Sequence, residues 1–108
     1  MMFNEVSQRA IDIREKYRNL EQKVAGRSWT TTELMEGFVG DVGDLMKLMM
    51  AKNGLRRARG DIDAALAHEL ADCLWCVMNI AHELNTDLEK AFLSSMNELE
   101  ERIKADQK

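Results

Sequence analysis

The chain contains no proline anywhere in its 108 residues and only six glycines. Proline breaks helices and is common in turns, so its absence favours long uninterrupted helices over strands joined by turns. Hydrophobic residues make up 45% of the chain and charged residues 31%, a balance typical of a globular protein. We therefore predict a single all-α domain over residues 1–108, of a size that is often stable only as an oligomer.

Apolar residues recur at alternating steps of three and four along four segments, the spacing of one face of an α-helix. We predict helices over about 5–24, 30–52, from 61–63 to about 84, and from 86 onwards. The short connection after the second helix favours an antiparallel pair. The expected architecture is a four-helix, bundle-like protomer with antiparallel helices.

Helix starts and stops are marked by specific residues. Gly26 is a stop for the first helix. Thr30–Glu33 forms a capping box for the second, and Trp29 before it is placed to pack on Leu34. A second capping box, Thr86–Glu89, starts the fourth helix.

Each helix is expected to bury its apolar face. The first helix carries Val6, Ala10, Ile13, Tyr17, Leu20 and Val24. The second is apolar on several sides, with Leu34, Phe38, Val42, Leu45 and Met49 beside Met35, Val39, Met46 and Met50. The third carries Leu66, Leu70, Leu74, Val77, Ile80 and Leu84. The fourth carries Leu88, Phe92, Met96, Leu99 and Ile103.

The charge pattern excludes some partners. The formal net charge is −4 and no broad basic face is visible, which disfavours nucleic acid polymers. No apolar run is long enough for a signal peptide or a membrane span, so no membrane partner is expected. Two cysteines without a secretory signal indicate a reducing compartment, and we expect a cytoplasmic location.

Two acidic pairs stand out on the second and third helices. Asp41 and Asp44 form one pair, and Glu69 and Asp72 form the other. The i, i+3 spacing puts both carboxylates of a pair on one helical face, and an antiparallel hairpin would bring the two pairs together. Carboxylates in apolar surroundings need a partner, and four that converge favour a hard divalent cation such as Mg²⁺. The alternative is a solvated acidic face.

Other metal and thiol chemistry is less favoured. A di-iron bundle needs Glu-x-x-His pairs, which the chain lacks. Cys73 and Cys76 form a lone CxxC motif, which without a second ligand pair is more typical of small buried residues. His68 and His82 are open to either a structural role or proton transfer.

A stripe of three glycines lies beside the first acidic pair. Gly37, Gly40 and Gly43 recur every third residue within the predicted second helix, where each costs about 1 kcal/mol relative to alanine. They indicate close approach either of another helix or of a ligand.

At these residues the sequence resembles the MazG-like, all-α nucleoside triphosphate pyrophosphohydrolases. The motif of that family is Glu-Glu-x-x-Glu on one helix and Glu-x-x-Asp on the next. Here Gly40-Asp41-Val42-Gly43-Asp44 corresponds to the first part and Glu69-Leu70-Ala71-Asp72 to the second. Gly40 replaces the first glutamate, and two shorter aspartates replace the others, so the metal position or the helix spacing must adjust. The resemblance covers roughly residues 29–103.

The resemblance implies a Mg²⁺-dependent hydrolysis of a nucleoside triphosphate to the monophosphate and pyrophosphate, with Mn²⁺ as a possible substitute. It implies Asp41, Asp44, Glu69 and Asp72 as metal ligands, and Asp41 or Glu69 as the group that orients or deprotonates water. Substrate contacts are expected from Lys47, Lys52, Arg56, Trp29 and Asn79. A homodimer or homotetramer is also implied.

Two alternatives stay open at this point. The shorter aspartates are also compatible with a non-catalytic helical module that binds nucleotide or metal, or that only oligomerises. A relative acting on phosphoribosyl-ATP shares the general architecture.

Overall fold

Four α-helices make up most of the chain in the computed structural model, which describes residues 2–57 and 59–107. The helices are α1 (Phe3–Ala25), α2 (Thr31–Lys52), α3 (Ile62–Glu83) and α4 (Leu88–Asp106). The described part of the chain contains no strand, which confirms the predicted all-α class. Within the same residues, no helix has the length and hydrophobicity needed to cross a bilayer.

The ends of the first two helices follow the predicted signals. Gly26 closes α1 in the left-handed conformation, with φ of 74°. The hydroxyl of Thr30 accepts a hydrogen bond from the main-chain N–H of Glu33 at 3.1 Å, and the Glu33 carboxylate accepts one from the Thr30 N–H. The capping box that starts α2 is therefore confirmed.

The predicted capping box at Thr86–Glu89 is wrong by one residue. The N-cap of α4 is Asp87, whose carboxylate accepts a hydrogen bond from the N–H of Lys90 at 3.1 Å. Thr86 belongs instead to the end of α3, because its N–H donates to the carbonyl of Ala81 at 2.9 Å. The adjacent aspartate also brings a negative charge to the positive end of the helix dipole, which favours it as the cap.

Helices α2 and α3 form an antiparallel hairpin. Lys52 pairs with Asp63 near the connection, and the hydroxyl of Thr31 donates to the carboxylate of Glu83 at 2.6 Å at the other end. Between these ends a core cluster is built on Leu34, Cys76 and Ile80, with Phe38 and Trp75 packed against it. The hairpin fixes which residues of the two helices face each other, and so positions the acidic pairs.

Helix α1 is attached to the segment before α2 through the buried Arg14 and to α3 through Arg18. Arg14 is 3% exposed and bonds the carboxylate of Glu21 at 3.1 Å and the carbonyl of Trp29 at 3.0 Å. Arg18 on the next turn pairs with Glu83 at 3.0 Å. These pairs satisfy charges that would otherwise be costly to bury, and they hold α1 against the start of α2.

Helix α4 buries none of its side chains, so a bundle closed by four helices does not form within one chain. Its expected apolar face is open, with Phe92 57% exposed. The same correction applies to Leu70 and Leu74 on α3 and to the C-terminal end of the α1 face, which are half-exposed or more. The radius of gyration is 17.4 Å, whereas a compact chain of this length has about 13 Å. The protomer is thus extended and leaves much apolar surface uncovered.

Candidate metal centre

Three carboxylates converge at the middle of the α2–α3 hairpin. Asp41 on α2 and both Glu69 and Asp72 on α3 each place one oxygen so that the three atoms lie within 4.8 Å of one another. Glu69 and Asp72 reach the same face because they are one helical turn apart, and the antiparallel pairing brings Asp41 opposite them. Three carboxylate oxygens at this separation form a donor set suited to a hard divalent cation.

Asp44, the fourth acidic residue named from the sequence, lies outside this group. It is on the next turn of α2 and its side chain is exposed. It is still close enough for its charge to help raise the pKa of Glu69. Asp44 therefore contributes to the negative potential of the cluster without converging on the same point.

Glu69 is the most perturbed carboxylate of the cluster. Burial raises its pKa above the ordinary value, and the charges of Asp41, Asp72 and Asp44 raise it further. Its Oε2 atom is buried and has no hydrogen-bond partner among the described residues. An acceptor without a partner, surrounded by like charges, is unfavourable unless a proton or a cation satisfies it.

Two neighbours bond the other two carboxylates. The thiol of Cys76 donates to Oδ2 of Asp41 with an S–O distance of 3.6 Å, and His68 Nε2 lies 3.2 Å from Oδ2 of Asp72. Burial, followed by the hydrogen bond and charge of Asp41, raises the pKa of the Cys76 thiol to about 12. Cys76 therefore stays protonated and remains a donor at neutral pH.

A cleft of about 640 Å³ adjoins the carboxylates. Asp41 and Asp72 lie at its wall, together with the aromatic side chains of Tyr17, Trp29 and Trp75. The rings of Tyr17 and Trp75 meet edge to face, with centroids 6.3 Å apart. A cleft with aromatic walls and a few charged groups is typical of a site for a flat, polar small molecule.

The Trp29 ring lies beside α2, and its packing on Leu34 stays a prediction. Both residues line the cleft, but the Trp29 ring lies over Gly37, where a Cβ atom would be 3.4 Å from Cζ3. A contact at that distance is an ordinary van der Waals contact, so the ring does not require a glycine at position 37. Trp29 as a whole is 47% exposed.

The expected cationic substrate contacts are spread along the outer surface. Lys47 is exposed on α2, Lys52 is paired with Asp63, and Arg56 is exposed in the following loop. None of the three lines the cleft.

Asn79 cannot contact a substrate in this structure, and that expectation is wrong. The side chain is 1% exposed, and its amide donates to the carbonyls of Ala10 and Trp75. These hydrogen bonds make Asn79 a packing residue between α1 and α3.

Arg14 and Glu21 line the cleft but were not identified from the sequence. Arg14 follows Ala10 by four residues and precedes Tyr17 by three, so it lies within the apolar face of α1. An arginine at such a position, with an acid seven residues later, is the signal that marks a buried ion pair.

Comparison with known proteins finds no matching protein family, no similar curated protein and no similar solved structure.

Proposed function

We propose that this chain is a Mg²⁺-dependent nucleoside triphosphate pyrophosphohydrolase, which converts a (d)NTP and water into a (d)NMP and pyrophosphate. The observation that carries the proposal is the convergence of Asp41, Glu69 and Asp72 within 4.8 Å beside an aromatic cleft. The sequence resemblance described above supplies the reaction class. A housecleaning role, or control of nucleotide pools, is the cellular function that fits such a reaction.

The donor set fits a divalent cation on two grounds. The three carboxylates are hard oxygen ligands without a cationic side chain bonded to Asp41 or Glu69 in the described residues. The buried Oε2 of Glu69 lacks a partner that a cation would provide. Bound there, Mg²⁺ would neutralise triphosphate charge and lower the pKa of an attacking water.

The protein side chains have separate tasks in this proposal. Asp41, Glu69 and Asp72 hold the cation, and Asp44 adds negative potential from the next turn. Glu69 is one candidate for orienting the attacking water or accepting its proton, because its oxygen lies where the three carboxylates converge. Asp41 is the other candidate, since it faces the same point from α2.

The nucleoside would occupy the cleft. Trp29 lines this cleft and is about half exposed, and stacking of a base on an aromatic side chain is worth about 1–3 kcal/mol. The wall formed by Asp41 and Asp72 would place the phosphates toward the carboxylates. Lys47, Lys52 and Arg56 are then the cations available to bind the departing pyrophosphate, which for Lys52 requires leaving Asp63.

We further propose that the active form is a homodimer or homotetramer. Along the outer side of α2, exposed apolar residues follow steps of four and three: Met35, Val39, Val42, Met46 and Met49. The exposed residues of α4 have the same spacing: Phe92, Met96, Leu99 and Ile103. Such spacing is typical of helices that pair with other helices, and an apolar surface of this extent marks an interaction site.

The assembly has a direct test. Met46→Lys places a charge in the middle of the exposed α2 stripe and should lower the mass measured by light scattering. Glu36→Lys, on the polar side of the same helix, is the matched control and should leave the mass unchanged. A wild-type mass equal to one chain at micromolar concentration would contradict the proposed oligomer.

The reaction is tested with a panel of NTPs and dNTPs, Mg²⁺ and detection of pyrophosphate. Asp72→Asn should abolish release of pyrophosphate, and Asp44→Ala should reduce it. Asp12→Asn, an exposed residue of α1, is the control and should keep full activity. If the wild type cleaves none of the nucleotides with Mg²⁺ or Mn²⁺, the catalytic proposal is wrong.

A non-catalytic helical module that binds nucleotide or metal, or that only oligomerises, is the second candidate. The observation that favours it is the position of Asp44, which is exposed and outside the converging group. Isothermal calorimetry separates the two. Binding of nucleotide or Mg²⁺ without turnover supports the module, and release of pyrophosphate supports the enzyme.

A further inference from the structure

The carboxylates of the cluster differ in what holds them in place. Asp72 is bonded by His68, which is largely exposed. Asp41 is bonded by the thiol of Cys76, which is 4% exposed. A contact at the surface is weakened by water and by salt, whereas a buried donor keeps its position.

We infer that Cys76 is a positioning residue for Asp41, an inference that rests on the proposed metal site. Cys76 is part of the core cluster with Leu34 and Ile80, so packing fixes the position of its sulfur atom. The S–H group then donates to Oδ2 of Asp41 across the α2–α3 contact. This bond restricts rotation of the carboxylate, and so sets the direction of both oxygens.

A neutral thiol suits this task better than a cation would. Lysine or arginine at the same place would orient Asp41 but would also cancel its charge and compete with a metal ion. A thiol is a weak, uncharged donor, so the carboxylate keeps its charge for the cation. Hydrogen bonds of this kind to metal-binding carboxylates commonly change metal affinity by about 10–100-fold when removed.

Cys73 provides a matched comparison within the same helix. It lies one turn before Cys76, is partly buried, and feels the charges of the same carboxylates. No hydrogen bond joins its thiol to a carboxylate in the described part of the chain. Removing the Cys73 thiol therefore tests for a general effect of sulfur near the cluster.

The first measurement is the affinity of the full chain for Mn²⁺, followed through the electron paramagnetic resonance signal of the free ion. Cys76→Ala should weaken binding by about 10–100-fold. Cys76→Ser keeps a donor and should bind close to the wild-type affinity. Cys73→Ala should not change the affinity. Circular dichroism of each variant verifies that the helices are formed.

The second measurement needs no metal. In the Cys73→Ala background only Cys76 contributes to the infrared S–H stretching band. Asp41→Ala should move that band to higher frequency, because the hydrogen bond that lowers it is lost. A thiol that only fills space would show no such shift.

The outcomes separate this inference from the proposed function. Mn²⁺ binding that is equally tight in wild type and Cys76→Ala would overturn the positioning role and leave the proposed metal site intact. Equal weakening in Cys76→Ala and Cys76→Ser with an unmoved S–H band would show a packing effect and also overturn it. A wild type that binds no Mn²⁺ would remove the metal site itself, and this inference with it.

Discussion

The side-chain amide of Asn79 donates a hydrogen bond to the main-chain carbonyl of Ala10 at 3.3 Å, across the contact between α3 and α1. The same nitrogen donates to the carbonyl of Trp75 at 2.9 Å. The asparagine is almost fully buried. A single amide thus bonds a carbonyl of each helix and ties α1 to the hairpin.

Replacing Asn79 is expected to lower stability rather than substrate affinity. Asn79→Ala leaves a small cavity and removes two buried hydrogen bonds, which together cost about 2–3 kcal/mol. Urea unfolding followed by circular dichroism measures the loss. Asn97→Ala, at an exposed position of α4, should change the free energy of unfolding by less than about 0.5 kcal/mol.

The predicted loss of stability is contradicted if the urea midpoint of unfolding is the same for Asn79→Ala and the wild type. A fully folded variant with weakened nucleotide binding would instead return Asn79 to the substrate site.

Glu69 should make stability depend on pH. Its pKa is raised in the folded state above the ordinary value of 4.5, so the folded protein holds the proton more tightly than the unfolded chain does. The protonated state therefore contributes stability fully below pH 4.5, and that contribution is lost as the pH rises through the raised pKa. Glu69→Gln removes this dependence on pH. Without metal, the variant should therefore have a higher melting temperature than the wild type at pH 8 and the same melting temperature near pH 4.

The melting temperatures of the wild type and of Glu69→Gln should respond differently to Mg²⁺. A ligand at 100 times its Kd stabilises the folded state by about 2.7 kcal/mol. Mg²⁺ should thus raise the melting temperature of the wild type and leave Glu69→Gln unchanged. Glu98→Gln on α4 is the control and should behave as wild type throughout. If Glu69→Gln melts below wild type at pH 8 without metal, the unfavourable burial assigned to Glu69 is wrong.

A further prediction concerns the glycines of α2. A Cβ added at Gly40 or Gly43 meets no atom within 4 Å in the described protomer. Alanine at either position should therefore raise the free energy of unfolding by about 1 kcal/mol through helix propensity alone. Gly26→Ala is the contrasting control, because its φ of 74° makes alanine unfavourable although the space is open.

Differential scanning calorimetry measures both effects, and light scattering on the same samples reports assembly. A Gly43→Ala variant with lower stability or a smaller assembly would mean that a second molecule approaches this side of α2. The packing of another helix of the same chain would then not be the reason for the glycine.

Local signals in the sequence predicted the ends of α1 and α2, although they placed the start of α4 one residue too early. The box at Thr30 and the stop at Gly26 depend on hydrogen bonds and dihedral angles within a few residues, which sequence patterns report directly. The facing of Asp41 and Glu69 followed from a short connection and an antiparallel pair.

The sequence could not show which apolar faces are covered. Spacing of three and four identifies a face, but Leu74 and Phe92 have the same pattern as residues that pack, and both are open in the protomer. The pattern is satisfied equally by a neighbour in the same chain or in another. Asn79 was misjudged for a related reason, because its burial depends on α1, which is distant in the sequence.

The two capping sites differ in how much their loss should cost, since α2 is packed and α4 is not. Thr30→Ala removes the hydrogen bond to the Glu33 N–H and should lower the free energy of unfolding by about 1 kcal/mol. Asp87→Ala removes the equivalent bond of α4, but α4 buries no side chain within one chain. At protein concentrations where light scattering reports a monomer, the loss should therefore appear as reduced helix content without a matching loss of global stability. Thr86→Ala is the control for α4 and should keep the helix content of wild type, because the Thr86 side chain is not the cap.

Far-UV circular dichroism at 25 °C measures the helix content of each variant, and urea unfolding measures its free energy of unfolding. In that monomeric state, a fall in the unfolding free energy for Asp87→Ala as large as that for Thr30→Ala would show that α4 packs against its own chain, which would contradict the open apolar face of α4 in the structure.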